Sequence, residues 1–254
     1  MLKFAMLGSL TIAGFCWYTP VAAQAPAFDR PGIAFSAEVL PVGAVAWEQG
    51  LPDFEYDRQS GTRTHLLSAG SNVRIGISER LEVQIAGSAW NRRTVREDGV
   101  SRRENGAGDS ALALKLILPP LSESLSLGML ASVSVATGTR EFSDDATSFA
   151  LGVALARELA NGSSLGLYLN ATHADGAYGY TFSPSLGFEL SERLSAYVEA
   201  GYDDGENATA TTVAGGGLMF RVTETIQLDA SANFGLNSQS PDVSGGIGLS
   251  VLFL

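Results

Sequence analysis

The last residues of the chain alternate between large apolar side chains and smaller or more polar ones. Ile247, Leu249, Val251 and Phe253 occupy every second position, after a glycine-rich start. Because successive side chains of a β-strand point to opposite faces, this pattern gives the strand one apolar face. A terminal strand with a face suited to lipid, in a chain that begins with an export signal, predicts an outer-membrane β-barrel.

Residues 1–23 have the features of a secretory signal peptide. Lys3 supplies the positive charge, an apolar stretch follows it, and three small residues at 21–23 offer a cleavage site. We therefore expect the mature chain to begin at Gln24. The single cysteine, Cys16, lies within the signal, so the mature chain has no thiol for a disulfide or a metal site.

A short polar turn recurs along the chain, and an alternating segment follows each copy. Four copies begin with serine or threonine followed by glutamate, and a fifth turn has a different sequence; they lie at 78–81, 122–125, 191–194, 223–226 and 157–162. The unequal spacing excludes a solenoid of strict period. It is typical of hairpins that have short turns at one end of a barrel and longer loops at the other.

Counting the alternating segments gives twelve strands, an even number as single-chain bacterial barrels require. They are expected at about 44–51, 63–77, 81–92, 109–118, 124–137, 147–157, 163–173, 179–190, 194–203, 210–222, 226–236 and 243–254. Ten strands is the alternative, because the first two segments are the least regular. The predicted fold is all-β, a single antiparallel up-and-down transmembrane β-barrel over residues 44–254. Prolines at 26, 31 and 41 argue against regular structure in residues 24–43.

Seven charged residues sit between apolar neighbours inside the predicted strands. If the apolar faces contact lipid, these charges must face the interior, since a charge at the bilayer midplane costs about 2–4 kcal/mol. The predicted inward set is Glu48, Arg74, Glu82, Lys115, Glu189, Glu199 and Asp229. Five acids against two bases would make an open pore unfavourable for anions. A salt-bridge network that fills a closed interior is an equal alternative.

The composition argues against several classes of function. Without Lys3 the 16 basic residues become 15, against 27 acidic ones, and the mature net charge is −12. This balance argues against binding of nucleic acid. The only histidines are His65 and His173; Ser68 lies three residues from His65 on the opposite strand face, so the two cannot form a nucleophile pair. We expect no enzymatic activity, no metal site and no cofactor.

Several motifs, in a fixed order, resemble those of a known family. They are Arg30-Pro31-Gly32, the stretch 106–115, Ala136-Thr137-Gly138, the 191–194 turn that leads to Tyr197-Val198-Glu199, and the glycine-rich final strand. Together they resemble the outer-membrane β-barrel proteins named for a MetA pathway of phenol degradation. The resemblance covers nearly the whole mature chain, but it identifies no binding residues. One departure is that the chain ends on Leu254 with Phe253 before it, whereas many such barrels end on the aromatic residue.

The resemblance implies a barrel in the outer membrane of a Gram-negative bacterium. It also implies passive passage of small, hydrophobic or aromatic molecules. A closed structural or surface-interaction barrel without transport is the alternative. The expected partners are outer-membrane lipids and lipopolysaccharide, the barrel-assembly machinery during biogenesis, and a small-molecule solute.

Overall fold

A computed structural model describes residues 28–120, 122, 124–160, 162–205 and 209–254. The expected signal peptide, residues 1–23, lies outside this part of the chain. The described residues form thirteen strands: β1 Val45–Gln59, β2 Thr62–Ser78, β3 Leu81–Glu97, β4 Val100–Gly106, β5 Ser110–Ile117, β6 Leu125–Val135, β7 Ser148–Glu158, β8 Ser163–Ala174, β9 Ala177–Glu189, β10 Leu194–Asp204, β11 Thr211–Arg221, β12 Ile226–Gly235 and β13 Val243–Phe253. No helix in this part of the chain is long and apolar enough to cross a membrane.

Twelve of the strands form a closed antiparallel ring. Each strand pairs with the next in sequence, except that β3 pairs with β5, and β13 returns to pair with β1. The ring confirms the predicted all-β, up-and-down barrel and its twelve strands, and the ten-stranded alternative is wrong. Closure leaves no unpaired sheet edge within the ring, which is what lipid requires of a strand-built span.

The extra strand, β4, lies outside the ring as an extension of β3. The sequence predicted loops at 52–62 and 93–108, but β1 and β3 continue well beyond the expected ends, β2 lies close to its expected bounds, and β4 pairs only with β3. Ser60-Gly61 and Asp98-Gly99 have positive φ at both positions, as two-residue hairpin turns need. These two turns convert the expected loops into a pair of long hairpins, which we call the extension.

Neighbouring residues on one strand differ sharply in exposure. Val198 is 53% exposed, whereas the next residue, Glu199, is 7% exposed. The outward, exposed set is apolar around the ring and includes Ile85, Leu114, Leu169, Leu228 and Ile247. So large an exposed apolar belt marks a surface that contacts something other than water, and in a barrel this surface is the lipid face.

Residues 28–43, which we call the inner segment, contain no strand and lie inside the ring. The segment hydrogen-bonds to Glu48 of β1, Glu82 of β3 and Glu199 of β10. Contacts with strands on opposite sides of the ring are possible only from within. The small apolar core, formed by Leu40, Ala44, Ala46 and Leu252 with Phe28 packed against it, lies where the segment joins β1.

Candidate functional site in the barrel interior

Arg74 of β2 is the centre of a buried ionic cluster. Its guanidinium donates from Nε and Nη2 to the two carboxylate oxygens of Glu82, at 2.7 and 3.0 Å. A third bond, from Nη1 to Glu48 Oε1, measures 2.8 Å. None of the three side chains is more than 1% exposed. Paired charges at this depth satisfy one another, because water cannot reach them.

The inner segment completes this cluster. Lys115 of β5 donates to Asp29 Oδ1 at 2.6 Å, and Gln84 donates to Asp29 Oδ2 at 2.8 Å. The backbone N–H groups of Asp29 and Arg30 donate to the carboxylate of Glu48. Burial opposes ionisation of Asp29, but the adjacent Lys115 and Arg74 outweigh it and lower the pKa of the Asp29 carboxyl. The segment is therefore held by a charged side chain as well as by its backbone.

A second group of contacts holds Arg30 against β1 and β12. The Arg30 guanidinium donates to both oxygens of Asp53, at 3.1 and 2.8 Å, and to Asp229 Oδ1 at 3.3 Å. Farther along the segment, the N–H of Ile33 donates to Glu199 Oε2 at 3.0 Å. The two groups together attach the inner segment to β1, β3, β5, β10 and β12.

Phe35 of the inner segment packs against the barrel wall. Its ring meets Tyr168 edge to face, with ring centres 5.6 Å apart. Added Cβ atoms at Gly128 and Gly152 would lie 3.1 Å from Phe35 ring carbons, which is closer than ordinary packing. The two glycines thus provide the space in which Phe35 sits. Lys115 Nζ lies 5.3 Å from the centre of the same ring.

A pocket of about 260 Å³ remains between the inner segment and the wall formed by β7 to β11. The wall is unusually smooth there because the inward side chains are small; they include Ala154, Ala156, Ser164, Gly166, Ser185 and Gly187. Tyr197, Glu199 and Met219 also line the pocket. The pocket therefore lies between small side chains of the wall and the inner segment, which the charged contacts described above hold in place.

The structure brings most of the charges expected to face inward into these two groups. Glu48, Arg74, Glu82 and Lys115 meet in the first cluster, and Glu199 and Asp229 belong to the second group of contacts. All six are buried. Glu189 is different: it is exposed at the end of β9, away from both groups.

Sequence reasoning missed four partners of these residues. Asp29, Arg30, Asp53 and Gln84 supply contacts that it did not anticipate. Asp29 and Arg30 lie in the inner segment, and Asp53 lies in the expected loop at 52–62. Without strand alternation there, the sequence could not indicate whether these side chains point into the barrel. One signal was available: the predicted interior carried more acids than bases, so a cation from elsewhere was needed, and Arg30 is that cation.

Comparison with known structures gives the same architecture. An outer-membrane channel of Pseudomonas putida F1 superposes with a TM-score of 0.65, covering 88% of this chain and 99% of its own, at 17% identity. The translocator domain of the autotransporter NalP from Neisseria meningitidis superposes with a TM-score of 0.54, covering 89% of this chain and 91% of its own, at 14% identity. The KdgM porin, solved with disordered oligogalacturonate, superposes with a TM-score of 0.53, covering 83% of this chain and 99% of its own, at 8% identity. No curated protein is significantly similar in sequence.

The closed ring, its apolar exterior and its ionic interior define a β-barrel of the bacterial outer-membrane type. Within that class, the chain belongs to the family described as "Putative MetA-pathway of phenol degradation", whose model matches residues 28–253. The match begins at residue 28, so it covers the inner segment as well as the ring.

Proposed function

We propose that this protein is an outer-membrane barrel through which small hydrophobic or aromatic molecules pass without energy input. The observation that carries the proposal is the pocket between the inner segment and the smooth wall of β7 to β11. Small side chains of the wall leave room for a slender apolar solute, while the ionic contacts of Asp29 and Arg30 hold the inner segment in place. The similarity to an outer-membrane channel of Pseudomonas putida F1 agrees with this role at the level of fold.

The buried charges would line and shape the passage. Around the inner segment, six carboxylates (Asp29, Glu48, Asp53, Glu82, Glu199 and Asp229) face three cations (Arg30, Arg74 and Lys115). This negative balance disfavours anions in any water-filled part of the passage. Glu189, at the rim, adds to the same sign.

The other expectations from the sequence belong to the same proposal. Residues 1–23 act as a cleaved export signal, 24–43 form the irregular segment, and 44–254 form the barrel. The protein inserts into the outer membrane with the help of the barrel-assembly machinery, lies among outer-membrane lipids and lipopolysaccharide, and carries out no enzymatic reaction.

A closed structural barrel without transport is the second candidate. It is favoured by the extent to which the inner segment fills the interior, through contacts with strands on opposite sides of the ring. In that role the pocket would be a packing gap rather than part of a path.

Uptake of a fluorescent naphthylamine dye separates the two candidates. The purified protein is placed in vesicles whose outer leaflet is lipopolysaccharide, which slows entry of apolar dyes through lipid alone. We expect faster uptake than in protein-free vesicles, and slower uptake with Ala156→Phe, which fills the pocket. Leu151→Phe, on the lipid face of the same strand, is the matched control and should behave as wild type. Uptake equal to protein-free vesicles would contradict the proposal and favour the closed barrel.

A further inference from the structure

The extension separates its charges by face. Residues paired across strands share a face of the sheet, so the register identifies which side chains stand together. Arg58 of β1 pairs with Arg63 of β2, and Arg63 pairs with Arg96 of β3. Three exposed guanidinium groups therefore form one row across three neighbouring strands.

Two more rows on the same face add to this charge. In the next row, His65 of β2 pairs with Thr94, and Thr94 pairs with Arg103 of β4. In the row nearest the barrel, Leu67 pairs with Arg92. We call this outward surface the arginine face; its members are Arg58, Arg63, Arg92, Arg96 and Arg103.

The acidic residues of the extension lie on the opposite face. Glu55, Asp57, Glu97 and Glu104 occupy the alternate positions, which turn toward the barrel axis. Arg93 and Arg102 share that inward face and pair with Glu104, at 3.6 and 2.6 Å. Among the described residues, by contrast, no carboxylate lies within 4 Å of a guanidinium of the arginine face.

An uncompensated row of arginines is costly unless an anion neutralises it. Like charges directly opposite one another on neighbouring strands destabilise a sheet. Guanidinium groups bind phosphate oxygens through paired hydrogen bonds, and a row of three can hold more than one phosphate. The arrangement therefore fits a ligand that carries several closely spaced phosphate groups.

The position of the arginine face shows where that ligand comes from. Phe54 and Leu67 lie in the row nearest the barrel, and Phe54 is exposed. The Arg92 guanidinium lies 5.1 Å from the ring centre of Trp90. The arginines thus begin where the apolar lipid-facing belt ends. Both ends of the barrel sequence lie at the opposite, short-turn end, so this rim faces outward from the cell.

We propose that the arginine face binds the phosphate groups of a glycolipid in the outer leaflet, the lipid A portion of lipopolysaccharide. The acyl chains would lie against the apolar belt below, and the phosphates would bridge the Arg58–Arg63–Arg96 row. The inference rests on the proposed outer-membrane location, but not on transport.

Thermal stability measured in detergent tests the inference. Protein refolded without lipopolysaccharide is titrated with diphosphoryl lipid A, and the temperature at which its heat-modified gel mobility changes is recorded. We expect lipid A to raise this temperature for wild type. The triple variant Arg58→Gln, Arg63→Gln, Arg96→Gln should need about ten-fold more lipid A for the same shift, because charge-assisted contacts are lost. Arg80→Gln, Arg193→Gln, Arg221→Gln, at the short-turn end, removes equal charge and should respond as wild type.

Two comparisons make the result decisive. Inorganic phosphate and dephosphorylated lipid A should have little effect. A shift with inorganic phosphate equal to that with lipid A would mean a free anion site, and an equal shift with dephosphorylated lipid A would mean apolar contact alone.

A variant that keeps the positive charges provides a further control. The triple variant Arg58→Lys, Arg63→Lys, Arg96→Lys should recover part of the response to lipid A, and it replaces the glutamine variant in the test if that variant fails to fold. A glutamine variant that responds like wild type would overturn the assignment. Dye uptake by the same variants should be unchanged, so failure here is distinguishable from failure of the transport proposal.

Discussion

At the scale of the residue, the barrel interior contains buried charges, each of which would destabilise the fold if it had no partner of opposite charge. Arg74 is fully buried, and it is stable there only because Glu82, Glu48 and Asp29 surround its guanidinium. The alternation of β2 and β3 was enough to predict that Arg74 and Glu82 share the inner face. It could not predict Asp29, because that residue reaches the cluster from a segment with no period.

Removing Arg74 should be strongly destabilising. Arg74→Gln leaves the buried Glu48 without its cation and Glu82 with Lys115 alone, 3.9 Å away. Breaking a buried pair in this way costs about 3–5 kcal/mol in comparable sites. We expect a matching fall in the free energy of unfolding, measured by denaturant titration in lipid or detergent. Arg193→Gln, exposed at a short turn, is the control and should change little. A fall no larger than the control's would show that Arg74 is not the centre of the cluster.

Phe35 should act on both stability and passage. Phe35→Ala empties the site between Gly128, Gly152 and Tyr168, at a cost of about 3–5 kcal/mol if the site does not collapse. It also widens the pocket that Phe35 lines, so dye uptake should rise. Phe149→Ala, on the lipid face, should leave uptake unchanged. Unchanged uptake in the Phe35 variant would place the solute path elsewhere.

At the scale of the element, the barrel strands could be read from the sequence and the extension could not. The strands from β5 to β13 carry unbroken two-residue alternation, and their predicted bounds lie close to the observed ones. In β1 and β3 the alternation changes phase, because the pairing register shifts between Gly50 and Asp53 and again opposite Ser68 to Gly70. Beyond such a shift the outward-facing positions move by one residue, so the alternation is interrupted and the sequence pattern predicts a loop where the strand continues.

The extension should be separable from the barrel. β4 pairs only with β3, outside the ring. Replacing residues 93–104 by an Asn-Gly turn therefore removes the β3–β4 pairs and the outermost β2–β3 pairs, from Leu66–Arg93 to Arg63–Arg96, and leaves the remaining pairs of the ring in place. We expect the shortened protein to keep its heat-modifiable mobility and its dye uptake, and to respond more weakly to lipid A, because Arg96 and Arg103 are removed. An equal deletion from β6 and β7 is the comparison and should prevent closure. Loss of the folded barrel on shortening the extension would contradict this division.

At the scale of the whole molecule, one rule explains both surfaces. Alternate side chains make the outside soluble in lipid and the inside polar, and closure of the ring makes both surfaces continuous. The sequence left open whether the interior was a water-filled pore or a packed network. The answer depended on residues 28–43. Their prolines and lack of periodicity do not indicate where the segment lies, although its Arg30 supplies a positive charge to an interior rich in carboxylates.

The current through single molecules in planar bilayers tests the central claim, that charges hold the inner segment across a narrow passage. Asp29→Asn with Arg30→Gln removes the segment's two ionic anchors, Asp29 to Lys115 and Arg30 to Asp53. We predict small, cation-preferring openings for wild type and clearly larger ones for this variant. Glu79→Gln with Arg80→Gln, an equal charge change at a short turn, should match wild type. Equal currents in the anchor variant and wild type, or an inserted barrel that stays silent in both, would contradict the account.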